Sequence, residues 1–279
     1  MRYYQNLNLK HHNSFGLESV AKEIWFPENG KDLIDLILQL KNDKFYILSR
    51  GTNVLLNKVI NKVVCLKFLE NQTIDIENEY ITVDSNCLLQ TMVKKSISNN
   101  LGGFEGLKGI PGTVGSAIVM NAGSKDYAIS DCLISLVTLN RNGDLNYYKK
   151  EDLNFSRRYS IIQDNKDIIV KASFKLKRGV NQEDLKYHTN SRKNIPHGKS
   201  AGGIFVNWHE LKPYEKKLIG LSDGDAIVSD KVNVIINKKN ATCDNILNLI
   251  DKIKNIVKKP LKLEIKMIGF DNDQDSLAI

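Results

Sequence analysis

LGGFEGLKGIPGTVGSAIVMNAG, residues 101–123, holds seven glycines, one proline and only two charged side chains. Glycine has no Cβ and reaches positive φ without penalty, so such a stretch lets backbone come close to a ligand or to a neighbouring element. Successive N–H groups in a glycine-rich loop can form an anion-binding nest, and Gly109, Gly112 and Gly115 leave the φ freedom that this needs. Taken alone, the loop also reads as a structural turn between strands. Neither GxGxxG nor GxxxxGK(S/T) occurs in it, which disfavours the common dinucleotide and P-loop sites.

Upstream, LLQTMVKKSISN at about 88–99 reads as a helix running into the glycine stretch. Before it, KDLIDLILQL (31–40) places Leu33, Leu36, Ile37 and Leu40 on one helical face, and KFYILS (44–49) reads as a strand. That strand ends in RGTNVLL (50–56), where Gly51 and Asn53 allow a tight turn. Downstream, short strands lead to IIVKASFKLK, in which Val170, Ala172, Phe174 and Leu176 alternate with polar positions. Apolar periodicity lapses in KRGVNQED (177–184), the best candidate boundary, and resumes near Ala201. CDNILNLIDKIKNIVKKP then gives a helix with the stripe Ile246, Leu249, Ile250, Ile253 and Val257, stopped by Pro260. LKLEIKMIGF reads as a terminal strand and DNDQDSLAI as a frayed tail. The pattern predicts an α/β (α+β) protein with a first domain over residues 1–178 and a C-terminal domain over 179–279.

The 279 residues are 42% hydrophobic and 26% charged, a globular composition. No apolar run reaches the ~20 residues of a membrane span, and no signal-peptide core follows the N-terminus, so a cytoplasmic protein is expected. Cys65, Cys87, Cys132 and Cys243 are far apart and the five histidines form no ligand pattern, so no metal is expected. The formal charge of +8 suits a small anionic ligand. Nucleic acid is disfavoured because no basic motif is interleaved with aromatics, and the densest lysines form the solvated face of the 243–259 helix.

GIPGTVGSAIVMNAG (109–123), preceded by GFEGL (103–107), resembles the flavin-binding signature of the UDP-N-acetylenolpyruvoylglucosamine reductases, the MurB family of peptidoglycan synthesis. SRGTNVLL (49–56) is similar to that family's glycine turn, and NSFGL (13–17) to its N-terminal Asn-Thr-Phe-Gly-Ile form. FSRRYS (155–160), SAGGIFVN (200–207) and LKLEIKMIG (261–269) follow in family order. The resemblance implies a two-part FAD-binding domain of the MurB and vanillyl-alcohol-oxidase type, with lobes of about 1–66 and 67–178, plus a C-terminal domain for a UDP-sugar. It implies non-covalent FAD, NADPH as co-substrate and a monomer.

Carried over residue by residue, the resemblance gives cofactor contacts at Arg50, Gly51, Thr52 and Asn53. It gives further ones at Gly109, Ile110, Pro111, Gly112, Thr113, Gly115, Ser116, Asn121, Ala122 and Gly123. Arg158 matches the arginine that stabilises charge on the substrate carboxylate, and Glu264 the glutamate that helps polarise or protonate the same intermediate. Lys193, ten residues before Gly203, stands at the spacing of a substrate-phosphate lysine, and Asn207 matches a substrate-binding asparagine. The departures lie in the reductive half. Gly203 replaces the proton-donor serine, Val206 a lysine, Trp208 a proline, Arg157 a tyrosine and Lys231 a histidine. Two outcomes follow from Gly203: a reductase whose proton comes from water or Ser200, or a flavin- or sugar-nucleotide-binding protein with weak or lost turnover.

Overall fold

Apolar spacing fixes the first helix. In the computed structural model, which describes residues 1–68, 72–193, 196 and 198–270, α1 (Gly30–Gln39) buries Leu33, Leu36 and Ile37. Leu40 is buried at its C-cap. Asn29 starts it, its side chain accepting the Asp32 N–H and so satisfying one of the unpaired donors of the first turn. The expected strand after it is formed at Tyr46–Leu48.

The chain divides into two compact units. Unit 1 comprises Met1–Arg2, Trp25–Ser49 and Val64–Asn194, and unit 2 comprises Tyr3–Ile24, Arg50–Val63 and Ile195–Ile279. Unit 1 is built on five strands, β1 (Ile74–Glu77), β2 (Tyr80–Asp84), β3 (Leu133–Leu139), β4 (Leu145–Lys149) and β5 (Ile168–Lys175), in the order β4-β3-β5-β2-β1. Every neighbouring pair is antiparallel. Ala172 and Phe174 of β5 point to the core, as their alternation predicts, and Leu176 just beyond is also buried. Two helices follow β2: α2 (Leu89–Ser98), burying Leu89, Met92 and Val93, and α3 (Val114–Val119) inside the glycine stretch.

The polar stretch at 177–184 carries structure that its composition hid. Lys177–Arg178 pairs antiparallel with Leu101–Gly102, and α4 (Gln182–Lys193) follows. This helix buries only His188, so it leaves no apolar period to read. Its signals are polar: Asn181 Oδ1 accepts the Glu183 and Asp184 N–H groups at 3.1 Å each, and Arg192 and Lys193 close the last turn.

In unit 2, Phe15, Leu17, Leu55, Ile204 and Phe205 share one core with the buried stripe of α5 (Cys243–Val257). All five stripe residues named from the sequence are buried. Thr242 and Asn245 cap α5 reciprocally, and Lys258 ends it at φ +54. Ser222–Asp223, Ala226–Val228 and Ile235–Asn237 form a three-stranded antiparallel sheet. The terminal strand is shorter than its sequence pattern: Lys266–Ile268 runs parallel to Val54–Leu56, and Leu263 makes one separate bridge to Phe205. The tail expected at 271–279 lies outside the described residues. All four cysteines are free thiols, and burial pushes Cys87 and Cys132 up to about 11, which keeps them unreactive. Among the described residues no helix is long and apolar enough to cross a membrane.

Candidate functional site

In unit 1 the glycine segment is fixed mainly by its own amides. Gly109 N–H donates to Gln90 Oε1 at 2.7 Å, and Ile110, Val114 and Gly115 donate to the carbonyls of Leu107, Cys87 and Ser85. Gln90 Nε2 donates back to the Leu107 and Ile110 carbonyls at 2.9 Å. Thr113 Oγ1 accepts the Ser116 N–H, Ser116 Oγ accepts the Thr113 N–H, and Ser49 Oγ lies 3.2 Å from Thr113 Oγ1. The amide nest read from composition is therefore largely engaged within the protein. What the segment presents outward is a rigid edge, with Gly109 and Pro111 exposed and Ile110 and Gly112 half-buried.

The far end of the segment is docked to the turn that carries Arg158. Ser156 and Tyr159 pair across that turn, with Arg158 at φ +60. Asn121 Nδ2 donates to the Ser156 carbonyl at 3.0 Å, and Ser160 Oγ and Gln163 Nε2 both donate to the Val119 carbonyl. Arg158 Nη2 donates to the Gly123 carbonyl at 3.1 Å. Three residues named from the sequence, Asn121, Gly123 and Arg158, thus form one hydrogen-bonded group. Ala122, between them, is buried and donates its N–H to the Ala117 carbonyl.

In unit 2 the turn at Arg50–Asn53 is set by Gly51, which has φ +60 and lies so close to the His12 carbonyl that a Cβ would collide with it. Ser14 holds the same turn, its N–H donating to the Gly51 carbonyl and its Oγ to the Thr52 carbonyl. Asn53 Nδ2 reaches the Glu264 carbonyl at 3.1 Å. Glu264 N–H donates to the Ile204 carbonyl at 2.8 Å, which lays the Glu264 segment along the one that contains Gly203. An ideal Cβ on Gly203 would stand 3.8 Å from Glu264 Oε2 and 2.8 Å from Asn233 Nδ2. Asn233 is pinned there, since its Oδ1 accepts the Phe205 N–H and its Nδ2 donates to the Phe205 carbonyl, each at 2.9 Å. Turn 50–53, Glu264 and Gly203 are therefore gathered in one unit from three distant stretches.

Two of the expected substrate residues stand in different surroundings. Asn207 Nδ2 donates to the Pro260 carbonyl at 2.8 Å and its Oδ1 accepts the Lys262 N–H at 2.9 Å, so its amide fixes the approach to Glu264. Lys193 is exposed at the end of α4, whereas Arg192 before it is half-buried with its stem against Gly109. Arg192, Gln90 and Asn233 were not singled out by sequence. Gln90 and Asn233 carry no local signal, while Arg192 becomes visible once Asn181 is read as the cap of a polar helix.

Comparison with known proteins bears on both units. The chain is 34% identical over 287 residues to the UDP-N-acetylenolpyruvoylglucosamine reductase of Caldanaerobacter subterraneus subsp. tengcongensis, covering 96% of this chain and 94% of that protein. The chain belongs to the UDP-N-acetylenolpyruvoylglucosamine reductase family. The corresponding reductase of Prochlorococcus marinus is 32% identical, with 95% of this chain and 98% of that protein covered. Within the family's solved structures, the chain superposes on the MurB of Thermus caldophilus with a TM-score of 0.83 at 29% identity, over 96% of this chain and 99% of that one. The FAD binding domain family matches residues 21–146, a span that includes the 50–53 turn and the whole glycine segment. The expected α/β class and MurB resemblance are both borne out.

Proposed function

We propose that this chain is a MurB-type reductase, using FAD and NADPH to convert UDP-N-acetylenolpyruvoylglucosamine to UDP-N-acetylmuramate in peptidoglycan precursor synthesis. The observation that carries the reading is the 34% identity extending over nearly the full length of both proteins. We take it to act in the cytoplasm as a monomer, on a UDP-sugar and without nucleic acid.

The residues present fit FAD: a buried guanidinium nitrogen, Arg192 Nε, has no partner among the described residues and lies beside the glycine segment. The segment's outer edge from Gly109 to Gly112 and the 50–53 turn are the parts we assign to holding the cofactor. FAD, when bound, supplies the hydride chemistry, and the protein supplies position and electrostatics. Arg158 is assigned to the substrate carboxylate, where a planar, permanent cation offsets charge as the double bond is reduced. Its carbonyl anchor at Gly123 fixes the direction of the guanidinium. Glu264 is assigned to the proton that must reach the neighbouring carbon. Its backbone is held by Asn53 and Ile204. Glycine at position 203 offers no side-chain hydroxyl beside that carboxylate, so water is assigned to the place of the missing side chain.

The lack of a hydroxyl at 203 also favours a second reading, a flavin- and sugar-nucleotide-binding protein with weak turnover. Both are tested on one preparation. A flavin band in the visible spectrum reports the cofactor, and NADPH-reduced flavin is then exposed to the enolpyruvyl substrate. Reoxidation by substrate faster than by oxygen supports the reductase. A flavin reoxidised by oxygen alone supports the binding protein, and fast oxygen reactivity would point to an oxidase.

A further inference from the structure

Helix α4 turns a polar face toward the glycine segment. Arg192 lies on it with its Cγ 2.8 Å from where a Cβ on Gly109 would be, so the aliphatic stem occupies the space that the glycine leaves. Its Nε is buried and has no hydrogen-bond partner among the described residues. Among the described residues, a second cation, Arg158, anchored on the Gly123 carbonyl, acts on Arg192. Burial first, and Arg158 second, lower the pKa of Arg192, yet a guanidinium stays protonated at any working pH.

The two acids that act on the neighbouring His188, Glu105 and Asp184, are engaged elsewhere. Glu105 accepts the Gly103 and Asn181 N–H groups at 2.7 and 2.9 Å. Asp184, two turns earlier on α4, accepts the Tyr127 hydroxyl and Asn181 Nδ2 at 2.7 Å each. A half-buried guanidinium whose Nε has no partner among the described residues, and on which a second cation acts, is unfavourable in the free protein, because desolvation and repulsion act in the same direction. Such an arrangement is relieved by an anion that brings lone pairs to both.

We propose that Arg192, acting with Arg158, is a binding subsite for an oxyanion, a phosphate or carboxylate group that accepts the Arg192 Nε–H. The cation that α4 contributes is then Arg192, with the exposed Lys193 outside the subsite. This rests on the reading of the chain as a flavin- and sugar-nucleotide-binding reductase, whose two ligands carry such groups: the diphosphate of FAD, and the carboxylate and diphosphate of the substrate.

The test is Arg192→Gln, with the apoprotein titrated with FAD, and the FAD-loaded protein titrated with UDP-N-acetylenolpyruvoylglucosamine by the change in flavin absorbance. Loss of a charged hydrogen bond weakens binding by roughly 10- to 100-fold. A loss confined to the FAD titration assigns the anion to the cofactor, and a loss confined to the sugar nucleotide assigns it to the substrate. The free apoprotein should melt at the same temperature as the wild type or higher, because an uncompensated cation has been removed, which a structural role for Arg192 would not give. Arg192→Lys keeps the charge without a donor at the Nε position and should also lose affinity. Affinities within twofold of wild type for both ligands in both variants would overturn the subsite while leaving the functional reading intact. A wild-type protein that binds neither ligand would overturn both.

Discussion

Asn53 donates its side-chain amide to the main-chain carbonyl of Glu264 at 3.1 Å, across 211 residues of chain, and receives the Lys266 N–H on its own carbonyl at 3.0 Å. The turn assigned to the cofactor and the carboxylate assigned to proton delivery are thereby parts of one hydrogen-bonded unit. Main-chain hold on both sides of Glu264 limits how far its side chain can swing.

Asn53→Ala separates these roles. One lost hydrogen bond in a half-buried site costs about 1 kcal/mol of stability. Release of the Glu264 segment should cost more in rate, roughly tenfold or greater, since errors of about 1 Å at a reacting group are that expensive. Melting temperature and substrate-dependent NADPH oxidation measure the two. A rate loss no larger than the stability loss implies would remove Asn53 from the positioning of Glu264.

Gly51→Ala examines the same turn from the backbone side. The added methyl would have to adopt φ +60 and would collide with the His12 carbonyl. Left-handed backbone alone costs an alanine about 1–2 kcal/mol, and a collision with main chain cannot be relieved by a rotamer change. Urea denaturation should show a loss of at least about 2 kcal/mol. A variant as stable as wild type would mean that the chain near His12 yields freely.

How far the sequence reached follows from what each element depends on. α1 and α5 were legible because their burial repeats at helical spacing, and β5 because Ala172 and Phe174 alternate with polar neighbours. α4 was not, because it holds its place through the Asn181 cap and one buried histidine rather than an apolar stripe. In the glycine segment the positions were readable but their use was not: glycine content cannot tell whether an amide faces a ligand or Gln90. Long-range pairings such as Asn53 with Glu264, or Asn233 with Phe205, leave no local trace at all.

Gly203→Ser and Gly203→Ala together isolate a hydroxyl from a methyl. A Cβ at this position would stand 2.8 Å from Asn233 Nδ2, and Asn233 is held by two hydrogen bonds to Phe205. Both variants should therefore lose about 1 kcal/mol as Asn233 is displaced. Only the serine adds a proton-bearing group near Glu264, and a general acid contributes ~10²- to 10⁴-fold. Substrate-driven reoxidation of the reduced flavin should accelerate in the serine variant and stay unchanged in the alanine variant. If neither is faster than wild type, proton delivery is not what limits this protein.

His188 sets an acid limit on the stability of unit 1. It is fully buried on α4, edge-on to the rings of Tyr127 and Tyr187, and neither ring nitrogen has a partner among the described residues. Burial lowers its pKa, with Asp184 opposing, Arg192 and Lys125 adding to the decrease, and Glu105 opposing. A histidine depressed in the folded state takes up its proton more readily when unfolded. Its contribution is therefore fully present above the ordinary value near 6.5 and is lost as pH falls below it toward the folded value. Carboxylates held below their usual range, such as Asp223 hydrogen-bonded to Lys252, lose their contribution only below about 4, so the interval between is dominated by the histidine. His188→Phe keeps the ring and removes both unpartnered nitrogens. It should match or exceed wild-type stability by about 1 kcal/mol at pH 8 and exceed it by more at pH 5.5, flattening the dependence of melting temperature on pH. Parallel pH profiles for the two proteins would show that His188 takes up its proton as readily in the folded protein as in the unfolded chain.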